Sequence, residues 1–177
     1  MDPFATLGVE PRFDLDLAAV EKTHRELSRT LHPDRYVSAG ATERREALGK
    51  AIEVNEAWRV LRDPIRRAQA LLAVRGVTIA EGREPQAAPE FLMEMLEQRE
   101  ALDEAKQAKD LARIHAMAKT IEERARTVEA ELSSGFSRGQ AAELVAKVGE
   151  LRFFRRFLDE VSAIEDALAE AAVASQG

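Results

Sequence analysis

Apolar residues recur at alternating steps of three and four along most of this chain. Between Asp16 and Leu31 this spacing marks one face of an amphipathic helix. The apolar face consists of Leu17, Val20, His24, Leu27 and Leu31. Asp16 is a suitable N-cap because its carboxylate can accept a bond from an unpaired backbone amide. Pro33 ends the helix, since proline disfavours the α conformation at the residue before it.

The same spacing predicts a second helix from about Thr42 to Arg62, with Thr42 as its cap. Its apolar stripe comprises Ala47, Ala51, Val54, Trp58 and Leu61, with Leu48 and Ile52 beside it. The two stripes predict an antiparallel helical hairpin. The loop from His32 to Ala41 then lies at the tip, where a partner can reach it.

The first helix also carries a basic face. At about 100° per residue, Lys22, Arg25 and Arg29 fall opposite its apolar stripe. A basic stripe is often only a solvated helix face, so it is not informative alone. His24 lies on the apolar side and is interpreted as a core histidine, and no role is assigned to the isolated His115.

Glycines and prolines interrupt the helical pattern over 77–88 and predict a linker between a domain at 1–76 and another at 89–171. The second domain shows three helical segments: Pro89 to Gln107, 110 to 133, and a third that begins with a capping box at 137–140. The predicted seams are Leu111, Ile114, Ala118, Ile121, Ala125, Val128 and Leu132, then Leu144, Val148, Leu151, Phe154, Leu158 and Val161. Short connections favour an antiparallel three-helix bundle, so the predicted class is all-α.

The first helix of this bundle has more apolar surface than one seam needs. Phe91, Met95 and Leu102 cluster towards the other helices. A second patch, with its charged neighbours, consists of Leu92, Met93, Leu96, Glu97, Arg99, Glu100 and Asp103, and Phe153 of the third helix also points away from its seam. An apolar patch with a charged rim is a common form of protein-binding site. The alternative is that these residues widen the core or contact the first domain.

Composition and charge exclude or disfavour several kinds of site and partner. The chain has 177 residues and no cysteine, so disulfides and thiolate ligation of zinc or an iron–sulfur cluster are excluded. No apolar run approaches about 20 residues, and the N-terminus does not resemble a signal peptide, so we expect a cytoplasmic protein without membrane contact. The net charge is +1 over 1–76 and −7 over the remainder. This acidity and the few aromatic residues argue against nucleic acid as a partner.

The tripeptide His32-Pro33-Asp34 between the two helices resembles the motif of the J-domain family. In register with it are Val54-Asn-Glu-Ala-Trp-Arg-Val-Leu61, Asp63-Pro64 and Arg67-Ala68. The family usually has Tyr in place of Trp58, and often a Tyr-Asp pair where this chain has Gln69 to Leu72. That departure indicates one branch of the family.

The second half resembles the C-terminal domain of the HscB family, J-type co-chaperones of iron–sulfur cluster assembly. The resemblance rests on the segment from Phe91 to Glu104, on Gln107-Ala-Lys-Asp110 and on Lys147-Val-Gly-Glu-Leu-Arg-Phe153. It implies that the first domain engages the DnaK-family chaperone HscA and that the bundle binds the scaffold protein IscU. The implied scaffold contacts are Leu92, Met93, Leu96, Glu97, Glu100 and Phe153, with Arg99 and Asp103 as weaker members.

The resemblance also implies a mechanism. Lys22, Arg25 and Arg29 would steer the J-domain onto an acidic surface of the chaperone. Asp34 would engage a basic residue that holds the ATP-bound state, with Pro33 fixing the loop and His32 orienting Asp34. Docking would then stimulate the chaperone's ATPase and trap the delivered scaffold. No cofactor or metal is implied for this chain itself.

Two other classes of function are alternatives to this hypothesis. A J-domain co-chaperone with a different client would share the first domain but not the scaffold. An enzyme would need a convergent pocket, whereas Glu97 and Glu100 lie three apart on a helix with no His, Cys or phosphate loop nearby. We therefore do not expect an enzyme. Glycine and proline also interrupt the periodicity too often for a coiled coil.

Overall fold

The structure, a computed structural model, describes residues 1–77 and 87–174. Every regular element among these residues is helical, which confirms the all-α prediction. The α-helices, numbered in chain order, are α1 (Pro3–Thr6), α2 (Leu17–Thr30), α3 (Ala41–Arg62), α4 (Pro64–Val74), α5 (Pro89–Gln107), α6 (Leu111–Ser137) and α7 (Val145–Ala174). Two 3-10 turns occur at Pro33–Tyr36 and Ala141–Leu144.

The chain divides into two compact units. The first comprises Met1–Thr78 with Phe136–Ala141, and the second comprises Ile79–Gly135 with Ala142–Gly177. The predicted linker, 77–88, lies mainly outside the described residues. Within the described part of the chain, no helix combines the length and the apolarity needed to cross a bilayer.

In the first unit, α2 and α3 pack against each other as the predicted hairpin. The Asp16 carboxylate accepts a hydrogen bond from the Ala19 amide at 3.1 Å, as expected of an N-cap. The prediction that Thr42 caps α3 is wrong, because the helix begins at Ala41 and its N-cap is Gly40. Gly40 is extended and offers no side-chain hydrogen bond, so Thr42 lies inside the first turn.

His24 lies at the contact between α2 and α3 but is only half-buried. Its Nε2 is 2.9 Å from Oδ1 of Asn55, and its ring stacks on Trp58 with 5.7 Å between centroids. The interpretation of His24 as a core residue is therefore corrected. His24 is a half-exposed residue that connects α2 to α3 through its hydrogen bond to Asn55 and its stacking on Trp58.

The core of the first unit is built around α3, which contacts α1, α2 and α4. Its larger buried side chains include Phe4, Leu7, Phe13, Val20, Val54, Leu61, Ile65, Leu71 and Leu72. One charged residue, Arg67, is buried among them. Its Nη1 donates to the carbonyl of Leu61 at 2.6 Å, and its guanidinium lies 4.7 Å from the ring centroid of Phe13. These contacts satisfy a carbonyl at the end of α3 that the helix leaves unpaired.

The second unit consists mainly of α5, α6 and α7. Its buried side chains include Met95, Leu102, Ile114, Ile121, Val128, Leu132, Leu144, Val148, Leu151, Phe154, Phe157, Val161 and Ile164. Most predicted seam positions are among them. Leu111 is an exception, since it is the first residue of α6 and is exposed.

The connection between α6 and α7 differs from the sequence prediction. The second helix of the bundle was predicted to end at 133 and a capping box was predicted at 137–140, whereas α6 continues to Ser137 and α7 begins at Val145. Gly135 lies inside α6, where a Cβ atom would be 2.6 Å from Cδ2 of Leu144. The missing side chain lets the buried Leu144 pack against the helix. Tertiary packing here overrides the low helix propensity of glycine.

Candidate functional site

The His-Pro-Asp segment forms a 3-10 turn directly after α2. His32 is the N-cap of this turn, and Pro33 occupies its first position. The Asp34 amide donates to Nδ1 of His32 at 3.3 Å. The Asp34 carboxylate lies 3.5 Å from the same Nδ1, and its side chain is 87% exposed. The turn therefore presents a carboxylate that a cation of another protein can reach.

The predicted basic face follows α2 towards this turn. Lys22, Arg25 and Arg29 are all exposed. Arg25 also pairs with Glu21 one helical turn away, with 2.6 Å between Nη2 and Oε1. An exposed pair of this kind contributes little to stability, and it partly neutralises the centre of the basic face.

Sequence reasoning missed a small apolar concavity beside the turn, of about 230 Å³. Its lining residues are Leu31, Pro33, Tyr36, Arg44, Ala47 and Leu48. Leu48 is exposed on α3 although it is a large apolar residue. Its position beside the predicted stripe, next to an exposed loop, is the sequence signal that could have identified this feature.

In the second unit, a groove of about 370 Å³ runs between α5 and α7. We call it the α5–α7 groove; its lining residues are Leu92, Met95, Leu96, Arg99, Phe153, Arg156, Phe157 and Glu160. Four of the predicted scaffold-binding residues, Leu92, Leu96, Arg99 and Phe153, thus lie around one concavity. Leu96 is 57% exposed, so its apolar surface is available to a partner.

The other predicted scaffold-binding residues lie outside this lining. Met93 is 67% exposed on α5. Glu97, Glu100 and Asp103 are likewise exposed along the same helix. They give α5 an acidic surface beside the groove, which a basic region of a partner could complement.

Phe153 has a more complex environment than the sequence indicated. It is half-buried, and its ring meets Phe91 edge-on with 6.0 Å between centroids. The guanidinium of Arg156 lies 5.8 Å from the Phe153 centroid. Phe153 is therefore held by neighbours on both helices at the wall of the groove.

Sequence reasoning also missed three groove residues of α7, namely Arg156, Phe157 and Glu160. They follow Phe153 by three, four and seven positions, which is the spacing of one helix face. That spacing could have identified them.

Among the described residues, no group of three or more His, Asp or Glu side chains is arranged to hold a metal ion.

Two family models match the chain, one in each half. The DnaJ domain model matches residues 2–70, and the model described as the HSCB C-terminal oligomerisation domain matches residues 87–162. The co-chaperone protein HscB homolog of Cupriavidus taiwanensis is 34% identical over 94% of this chain and 95% of its own length. The chain belongs to the HscB family.

Further HscB relatives agree with this assignment. The HscB homolog of Neisseria meningitidis is 33% identical over 90% of this chain and 96% of its own length. The solved structure of the chaperone HscB from Vibrio cholerae has a TM-score of 0.85 and 28% identity, over 95% of this chain and 99% of that one. The resemblance to the HscB family is thereby confirmed, and the family consists of J-domain co-chaperones.

The two HscB-family regions divide the candidate sites between them. The His-Pro-Asp turn and the basic face of α2 fall within the DnaJ match. Every residue that lines the α5–α7 groove falls within the HscB C-terminal match. Each matched region of the chain thus contains one candidate interaction surface.

Proposed function

We propose that this chain is a co-chaperone that binds an IscU-type iron–sulfur scaffold and delivers it to an HscA-type member of the DnaK family. In this proposal residues 1–76 act as the J-domain, 77–88 as the linker and 89–171 as the scaffold-binding bundle. The single observation that carries the proposal is the α5–α7 groove. It collects Leu92, Leu96 and Phe153 into one accessible apolar surface in the HscB-specific half of the chain.

The chemistry of the groove supports a protein partner. Burial of apolar surface stabilises a complex by roughly 25 cal/mol per Å². Binding energy usually concentrates in a few large side chains surrounded by polar ones. Leu96 and Phe153 provide such anchors, while Glu97 and Glu100 provide a charged rim that favours orientation and rapid encounter.

The chemistry of the turn supports the second step. The exposed Asp34 carboxylate engages a basic residue of the ATP-bound chaperone, and the hydrogen bond from the Asp34 amide to His32 fixes the backbone from which the carboxylate projects. Lys22 and Arg29 attract an acidic surface of the chaperone over a range of about 10 Å. Docking of Asp34 then stimulates ATP hydrolysis while the bundle holds the scaffold.

Calorimetric titration of IscU into this protein tests the proposal. The wild type should bind saturably, and the Leu92→Ala/Phe153→Ala variant should bind at least roughly 30-fold more weakly, because two interface anchors contribute about 1–2 kcal/mol each. Leu111→Ala is the matched control, since Leu111 is an exposed apolar residue of the bundle outside the groove. Absence of binding by the folded wild type would contradict the scaffold assignment and favour a different client.

A further inference from the structure

The α5–α7 groove is bordered by an ion pair that joins its two helices. Nε of Arg99 on α5 lies 3.2 Å from Oε2 of Glu160 on α7. Both residues line the groove, and their side chains are 60% and 33% exposed. The resemblance implies Arg99 as a weaker scaffold contact, whereas Glu160 is not among the implied contacts.

A second arginine of the bundle shows what a structural ion pair looks like here. Arg124 of α6 binds Glu94 of α5 through both terminal nitrogens, at 2.7 and 2.9 Å. Its guanidinium also lies 5.2 Å from the ring centroid of Phe154. Both terminal nitrogens of Arg124 therefore donate within the bundle, where they link α6 to α5.

Arg99 is bound differently. Among the interactions of the described residues, its guanidinium makes one ion pair, through Nε. Its two terminal nitrogens, Nη1 and Nη2, therefore retain their donors for a partner. These two nitrogens form the edge of the guanidinium that binds a carboxylate through two parallel hydrogen bonds.

The Arg99–Glu160 pair is not needed to hold the two helices together. Exposed ion pairs contribute about 0–1 kcal/mol to stability. Met95 of α5 and Phe157 of α7, by contrast, are both buried beside this pair. A partner that covers the groove removes water from both charges, which is unfavourable unless new hydrogen bonds replace the lost ones. The pair thus disfavours a purely apolar occupant and favours one that carries a carboxylate at this position.

We propose that Glu160 is a positioning residue that holds the Arg99 guanidinium ready to bind a carboxylate of the scaffold protein. The apolar part of the same scaffold segment occupies the groove beside Leu96 and Phe153. Because Glu160 fixes Arg99 before binding, less side-chain freedom is lost when the complex forms. This inference rests on the proposed function and adds a determinant of specificity to it.

A charge swap tests whether Glu160 positions Arg99 for binding or only stabilises the bundle through the ion pair. Arg99→Glu combined with Glu160→Arg keeps the ion pair and the net charge but moves the cation from α5 to α7. We expect the thermal stability to be retained and the affinity for IscU to fall by at least about tenfold, as for the loss of a charge-assisted interaction. The matched control swaps Glu56 and Arg59, an exposed ion pair of the first unit at 3.1 Å, and should bind as the wild type does.

A double-mutant cycle tests whether Glu160 acts through Arg99. Glu160→Ala should weaken IscU binding about fivefold in the wild type and should have no effect in an Arg99→Ala background. Equal effects in both backgrounds, or a charge swap that binds normally, would overturn the inference while leaving the scaffold assignment intact. If the wild type itself does not bind IscU, the proposed function fails, and this inference fails with it.

Discussion

At the scale of single residues, different residues of the His-Pro-Asp turn maintain its structure and carry its proposed function. His32 and Pro33 shape the turn, because one caps it and the other fills its first position. The Asp34 side chain contributes little to the fold, being 87% exposed with its carboxylate near His32 alone among the described ion pairs. A change at Asp34 should therefore alter recognition by a chaperone without altering stability.

Asp34→Asn should abolish stimulation of an HscA-type ATPase while the free energy of unfolding stays within about 0.5 kcal/mol of the wild type. The reason is that Asn keeps the size and the backbone amide but lacks the charge that engages a cation. Steady-state ATP hydrolysis and urea unfolding measure the two quantities. Asp14→Asn, at another exposed aspartate of the first unit, is the control. Normal stimulation by folded Asp34→Asn would remove Asp34 from the mechanism.

Lys147 of α7 provides a test of electrostatics away from both sites. A hydrogen bond to Glu131, at 2.9 Å, raises the pKa of Lys147 above its usual 10.5; partial burial opposes this, and Glu150 at 3.2 Å adds to it. A raised lysine pKa means that the folded state binds the proton more tightly than the unfolded state. The resulting stabilisation is complete below pH 10.5 and is lost as the pH rises through the folded-state pKa.

We therefore expect Glu131→Gln to be less stable than the wild type by up to about 1 kcal/mol near neutral pH. This difference should shrink as the pH rises above 10.5 and Lys147 loses its proton. Urea unfolding of both proteins across this range gives the difference directly, and titrations shared by the two proteins cancel. A difference that stays constant or grows with pH would show that Lys147 is not the partner responsible.

At the scale of helices, the end of α5 contains an unfavourable backbone conformation. Lys109 follows the C-cap residue Ala108 with a φ of 54°, in the left-handed region. Its amide and that of Asp110 donate to carbonyls of the last turn, of Lys106 and Ala105. Glycine is the usual residue at this position because side chains with a Cβ atom are strained there.

Lys109→Gly should raise the free energy of unfolding by about 0.5–1 kcal/mol, because relief of left-handed strain exceeds the added entropy of the unfolded chain. Lys109→Ala removes the same side chain but keeps the Cβ atom, so it should give no such gain. Thermal or urea unfolding compares the three proteins. Equal stability of the Gly and Ala variants would contradict this account of the α5 end.

The sequence pattern predicts a helix boundary correctly where residues within one turn of that boundary determine it. Asp16 marks the start of α2, and Pro89 the start of α5, because capping and proline geometry act within one turn. The end of α6 was missed because Gly135 is retained in the helix by Leu144, a contact that local periodicity does not contain. The spacing from Phe153 is enough to place Glu160 on the groove face of α7, but its pairing with Arg99 depends on how α5 and α7 pack.

At the scale of the whole molecule, the two candidate surfaces belong to separate compact units. The His-Pro-Asp turn lies in the first unit, and the α5–α7 groove lies in the second. In the proposed function, the two surfaces are coupled because the chain presents one partner to the other. Loss of one surface should leave the intrinsic activity of the other intact.

The most direct test of this coupling is the ATPase rate of an HscA-type chaperone, measured with and without IscU, in the presence of each variant. The wild type should stimulate hydrolysis, and IscU should increase the stimulation further. Leu92→Ala/Phe153→Ala should keep the stimulation seen without IscU and should need higher concentrations of IscU for the further increase, while Asp34→Asn should lose both. Equal loss of the IscU-independent stimulation in the folded groove variant would contradict the assignment of separate functions to the two units.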